Sequence, residues 1–148
     1  MNTKIYFDMD GTIADLYGVE GWLDYLLGGD PFPYANAKPL INMNRLARRL
    51  NRLQSAGCEI CVISWLSKTS TAEYDELVTK AKLAWLAKHL ASVRFDEIHI
   101  VAYGTPKHTL GNGILFDDEE KNREGWGEGA YTPEEIFEVL ASVAKKVF

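Results

Sequence analysis

The chain has 148 residues, 47% of them hydrophobic and 25% charged, with a net charge of −5. That length buries one core without staples, and the composition is that of an ordinary globular domain. The acidic balance gives no bulk attraction to nucleic acid or to an anionic membrane, and no run reaches the roughly 20 apolar residues of a spanning helix.

In chain order, the first apolar run is Lys4 to Phe7, read as a strand. It follows an N-terminus without the long apolar stretch of a secretion signal, so a cytoplasmic location is expected. Residues 14–39 fit a strand-and-helix alternation least well. Trp22, Leu23, Tyr25, Leu26 and Leu27, followed by Gly28-Gly29 and Asp30-Pro31-Phe32-Pro33, suggest a short helical flap closed by breakers. Leu46, Leu50 and Leu53 form the stripe of a helix ending at Gly57, and Cys58 to Ile63 is the second strand. Cys58 and Cys61 have CxxC spacing, but residues three apart on a strand point to opposite faces, so two separate reduced core thiols are expected. Tyr74, Leu77, Val78, Ala81 and Trp85 form a second helix, with a capping box expected at Ser70-Thr71-Ala72-Glu73. Glu97 to Val101 is the third strand, and Gly113 to Phe116 the fourth. A last helix opens with a capping box at Thr132-Pro133-Glu134-Glu135. Strands alternating with helices predict an α/β fold with a central parallel sheet, and no linker divides residues 1–148, so one domain is expected.

The chemistry gathers at strand ends. Asp8-Met9-Asp10-Gly11-Thr12 directly follows the first strand, placing two carboxylates beside a glycine turn whose N–H groups can face an anion. Phosphoryl transfer through a covalent intermediate needs such a pair, one acid to attack phosphorus and one to move a proton. An EF-hand is excluded, because its glycine stands sixth and here it is fourth. The second strand ends in Ser64, Lys107 follows the third, and the fourth runs into Asp117-Asp118. A response-regulator receiver uses the same residue types but places its lysine last, which this order contradicts.

Asp-x-Asp-Gly-Thr, then Ser, Lys and Asp-Asp, resembles the four motifs of the haloacid-dehalogenase-like superfamily. The ten-residue step from Lys107 to Asp117 looks most like its 5′(3′)-deoxyribonucleotidase branch. The resemblance implies a three-layer, Rossmann-like fold with strand order 3-2-1-4, and a Mg²⁺-dependent phosphatase acting through an aspartyl phosphate. It implies Asp8 as nucleophile, Asp10 as acid and base, and Ser64 and Lys107 as catalytic groups on the phosphoryl oxygens. Gly11 and Thr12 would help bind the phosphate. Asp8, Asp117, Asp118 and the backbone carbonyl of Asp10 would hold the metal. The branch carries a larger helical cap, whereas here the flap alone is available, which leaves the site open.

Trp65 and Trp126 are candidates for stacking on a nucleotide base, weighed against a plain packing role at the sheet's edges, and Tyr17 and Trp22 of the flap are candidates for the same stacking. Arg45, Arg48, Arg49 and Arg52 recur at helical spacing, which suits a solvated face better than a phosphate-backbone track. The substrate expected is a small phosphomonoester, foremost a nucleotide. The alternatives are a nucleic-acid end, a phosphoprotein, a homo-oligomer whose partner subunit supplies the lid, or a catalytically silent phosphate- and Mg²⁺-binding module.

Overall fold

The computed structural model describes residues 3–68 and 70–148, so the leader reading of Met1 and Asn2 lies outside it. Four parallel strands form the centre: β1 (Lys4–Phe7), β4 (Glu59–Trp65), β5 (Glu97–Val101) and β6 (Ile114–Phe116). Between β1 and β4, a ribbon of β2 (Ala14–Asp15) and β3 (Lys38–Pro39) pairs antiparallel and closes the base of the segment that holds α1 (Trp22–Leu27) and α2 (Phe32–Asn36). A fifth sheet strand, β7 (Ala130–Tyr131), joins beyond β6, giving the order β5-β4-β1-β6-β7. Two residues between Gly129 and Thr132 leave no apolar run, so β7 is invisible to pattern reading.

Alternation along the strands sorts the core. Ile5 and Phe7 of β1, Ile60 and Val62 of β4 and Phe116 of β6 meet three helices: α3 (Met43–Ser55), α4 (Ala72–His89) and α6 (Ile136–Val147). Leu46, Leu50 and Leu53 of α3 and Leu140 and Val143 of α6 are buried there, each worth roughly 1.5–3 kcal/mol by removal from water. The opposite face, with Tyr6, Cys61, Ile63 and Leu115, is covered thinly by Leu110 and by Trp126 at the end of α5 (Glu120–Trp126). The third layer is thus a seven-residue helix and a 3₁₀ turn at Lys107–Thr109, because only twelve residues link β5 to β6 and no crossover helix fits.

Cys58 and Cys61 are free and buried in separate clusters on the two faces, as expected of residues three apart. At α4 the cap lies one residue later than expected: the Thr71 side chain, not that of Ser70, accepts from Tyr74 N at 3.1 Å. Thr132-Pro133-Glu134-Glu135 does open the last helical segment, with Thr132 N donating to Glu135 Oε1 at 3.0 Å. Among the described residues, no helix is long and apolar enough to cross a membrane.

Candidate active site

Two neighbouring strand ends bring the acids together. Asp8 continues β1, its N–H donating to Phe116 O at 2.9 Å, so the β1–β6 ladder runs to the first carboxylate. Asp117 continues β6 and is locked on its other side, with its N–H on Tyr131 O of β7 at 3.1 Å. Three groups from the segment after it hold Asp117 further. Glu119 N donates to Oδ1 at 2.9 Å, Asn122 Nδ2 donates to Oδ2 at 3.2 Å, and Arg123 Nη1 donates to the backbone oxygen at 3.0 Å. The acidic run therefore turns into α5, which anchors the site.

Lys107 sits between the two acids. Its Nζ lies 2.9 Å from Asp8 Oδ1 and 2.7 Å from Asp117 Oδ2, all three groups buried. Burial works against the charged lysine, yet Asp8 and Asp117 together hold its pKa above the ordinary value. Removing one member of such a buried set strands the others, a loss of roughly 3–5 kcal/mol.

Thr12 is fully buried and joins the acids from below the turn. Its hydroxyl donates to Asp8 Oδ2 at 2.8 Å and accepts from Asp118 N at 3.1 Å. Gly11 has φ +83°, which favours glycine, and a Cβ there would push the Asp118 carboxylate aside. The N–H groups of Gly11 and Thr12 bond to Ala14 O and Met9 O at 2.9 and 3.1 Å. Those two donors are thus spent on the turn, and both residues shape the acids instead of presenting N–H groups to an anion.

Ser64 is fully buried and its hydroxyl oxygen accepts from Lys82 Nζ at 2.6 Å. The same Nζ reaches Asp10 Oδ2 at 2.9 Å and Trp65 O at 2.7 Å. Lys82 went unnoticed in the sequence. The buried stripe of α4 is Tyr74, Val78, Lys82, Trp85 and Leu86, with Leu77 exposed, so a lysine four residues after Val78 was the available signal.

Asp8, Asp117 and Asp118 offer one carboxylate oxygen each within 4.8 Å of one another. Asp10 turns its side chain to Lys82 instead. Burial raises the pKa of Asp10 against the pull of Lys82. Burial and then Asp8 push Asp117 up to about 6. Desolvation and the adjacent Asp8 push Asp118, whose side chain still reaches solvent, up to about 8. In this cluster four carboxylates face two ammonium groups, an excess of two negative charges when all are ionised. An all-oxygen donor set carrying that excess fits a hard divalent cation.

The acids open into a cleft of about 310 Å³. Asp8, Asp10, Lys107, Asp117 and Asp118 line its sheet side, Leu16, Tyr17, Trp22, Leu23, Leu26 and Tyr34 come from the flap, and Trp65, Leu66, Ser67, Lys68 and Tyr103 from the end of β4 and the segments that follow β4 and β5. Thr12 and Ser64 are not among the lining residues. Trp65 stands 4.9 Å from Tyr103, and Tyr17 meets Trp22 edge-on at 5.2 Å. Trp126 packs elsewhere, against Tyr6 at 5.4 Å with its Nε1 on Gly113 O at 3.0 Å, so it takes the packing role. Arg45 and Arg52 stack on Phe137 and Phe148 of the C-terminal segment, which accounts for two of the four arginines.

No family model matches the chain, and no curated protein does.

Proposed function

We propose that this protein is a Mg²⁺-dependent phosphomonoester hydrolase of the haloacid-dehalogenase-like kind, with Asp8 as nucleophile. The observation that carries the reading is Lys107 Nζ held between Asp8 Oδ1 and Asp117 Oδ2 at the ends of adjacent strands, with Asp118 and Asp10 beside them. A phosphoryl group entering there meets a fixed carboxylate, a buried ammonium and a second acid.

In the first step a carboxylate oxygen of Asp8 forms a bond to phosphorus while the bond from phosphorus to the leaving oxygen breaks. The Asp10 carboxyl gives its proton to that oxygen, a role that suits an acid whose pKa burial has raised. In the second step water attacks phosphorus, Asp10 takes the water's proton, and the bond to Asp8 breaks to release inorganic phosphate. Lys107 offsets charge on the phosphoryl oxygens throughout. Asp8, Asp117 and Asp118, joined by the Asp10 backbone carbonyl, would hold the metal, which supplies further charge neutralisation when bound.

The apolar and aromatic part of the cleft wall favours a leaving group with a flat face, and a nucleoside monophosphate is the class we assign first. The exposed rings of Tyr17 and Tyr103 and the half-buried rings of Trp22 and Trp65 offer stacking surfaces without demanding one base. Both Asp8 and Asp10 are in place, which argues against a silent binding module.

The test is phosphate release from nucleoside monophosphates, sugar phosphates and 5′-phosphorylated oligonucleotides, with Mg²⁺ and with excess chelator. Release that needs Mg²⁺ is expected, with mononucleotides preferred. Full activity in chelator would sink the metal assignment, and release only from oligonucleotides would move the substrate to nucleic-acid ends.

A further inference from the structure

Among the described residues, Lys82 is the one fully buried cation that the phosphoryl-transfer scheme leaves without a task. It projects from the middle of α4, 1% exposed, and an ammonium has three protons to give. All three have acceptors: Asp10 Oδ2 at 2.9 Å, Ser64 Oγ at 2.6 Å and Trp65 O at 2.7 Å. The Tyr34 ring of the flap base lies 5.1 Å from Nζ, inside the range of a cation–π contact. A lysine so committed has nothing left with which to bind a phosphoryl oxygen. Lys107 differs, because it lines the cleft.

Its contacts describe a clamp. Ser64 and Trp65 are the last two residues of β4, so two of the three bonds fix Nζ to the end of the sheet. The third fixes one oxygen of Asp10, whose side chain is 17% exposed and lines the cleft. Asp10 sits on the turn after β1, where its rotamer has only Lys82 as a charged partner in hydrogen-bond reach among the described residues. With Oδ2 tethered, Oδ1 is the oxygen left to exchange a proton with the leaving group.

We infer that Lys82 is a positioning residue for the proton-transfer step: it holds the Asp10 carboxyl in register with the leaving oxygen and does not touch the substrate. This rests on the phosphatase reading above. It departs from that reading by giving Ser64 and Trp65 O the task of seating Lys82, so that β4, α4 and the flap base act together on one acid.

The experiment uses the full chain with Mg²⁺ and measures single-turnover release of the leaving group from two substrates. One is 4-nitrophenyl phosphate, whose phenolate departs without a proton. The other is a nucleoside 5′-monophosphate, whose alkoxide needs one. The wild type is expected to release both, and a wild type that releases neither overturns the phosphatase reading and this inference together. Lys82→Met is expected to slow nucleoside release at least about 100-fold and nitrophenol release less than about tenfold, in line with the usual 10²–10⁴ contribution of acid catalysis. KM should change less than about threefold. Adding Lys82→Met to Asp10→Asn should cost little beyond Asp10→Asn alone, since residues acting as a unit are not additive.

Lys82→Arg keeps the charge but cannot reproduce three convergent contacts in a closed site, so it guards against a Lys82→Met protein that does not fold. It should show the same split between substrates in milder form. Equal losses on both substrates in an active wild-type background would overturn the inference while leaving the phosphatase reading intact. A raised KM with unchanged turnover would do the same.

Discussion

On the sheet side of the cleft, Asp8, Asp10 and Asp117 each meet a buried lysine at 2.7–2.9 Å, and those lysines are fixed by strand ends and by α4. On the flap side, α1 contributes Trp22-Leu23-Asp24-Tyr25-Leu26-Leu27 and buries none of the six residues. Leu23 and Leu27 are at least half exposed there. The polar side is over-determined, because each charge is costly in the protein interior unless its partner stays put. The apolar side is under-determined, because its side chains line a surface that none of the described residues covers. The base of the flap belongs with the first kind: Tyr34 packs with Leu16, Tyr74 and Val78, and α2 rests on α4. Rigid chemistry is thus joined to an adaptable wall through one anchored helix.

Substitution of the nucleophile should break the rigid side most completely. Asp8→Asn should give no turnover and no covalent phosphoenzyme, since an amide is a far poorer nucleophile. Asp10→Asn should retain the fold and lose about 10²–10⁴-fold in turnover. Steady-state rates together with mass spectrometry of the trapped protein decide this. Near-normal turnover in Asp8→Asn alongside a dead Asp10→Asn would mean that the nucleophile has been misassigned.

The adaptable side should respond in substrate selectivity and hardly at all in stability. Stacking on an aromatic ring is worth roughly 1–3 kcal/mol per base, a factor of about 5–150. Trp22→Ala should lower kcat/KM for a deoxynucleoside monophosphate relative to ribose 5-phosphate by a factor in that range, with unfolding free energy unchanged within about 0.5 kcal/mol. Tyr34→Ala, at the anchored base, should instead cost roughly 3 kcal/mol or more of stability. Equal destabilisation by the two changes would erase the distinction between tip and base.

The same contrast explains what could be read from the chain. Asp8, Asp10, Asp117 and Asp118 are legible because they follow apolar strands, and a strand end needs no tertiary knowledge to find; Lys107 is legible only through its place in the motif order of the resemblance. The α/β class follows from the alternation of those strands with helices. Lys82 is not legible in that way, since its role depends on how α4 rotates against the sheet, and Leu77 competes with it for the buried face. The hydroxyls of Thr12 and Ser64 are marked by their motifs, but a motif does not say whether an oxygen meets the substrate or a neighbouring side chain. Tyr34, Ser67 and Tyr103 reach the cleft only through the path of their loops and the short α2.

The smallest expected effect concerns the acids themselves. Asp10, Asp117 and Asp118 are all raised from 3.8 in the metal-free fold, Asp117 to about 6 and Asp118 to about 8. A carboxyl whose folded pKa exceeds its unfolded one binds more protons when folded, so stability falls as pH rises through the interval between the two values. Lys107, raised from 10.5, loses its contribution only in strong alkali, and Glu97, lowered from 4.5 by its bond to His99, loses its own only in acid. His89, lowered from 6.5 by burial, works the opposite way but only below that value, so between pH 6.5 and pH 8.5 the protein without metal should melt at lower temperature as pH rises. A divalent cation binds only the ionised acids, so its stabilisation should grow over the same interval and flatten the profile. Since 1 kcal/mol moves Tm by roughly 2–8 °C for chains in this size range, thermal melts with chelator and with Mg²⁺ at the two pH values resolve the effect. A metal-free Tm that climbed with pH, together with a Mg²⁺ shift equal at both values, would mean that these carboxylates are not crowded against one another and that the cleft has no electrostatic need of a cation.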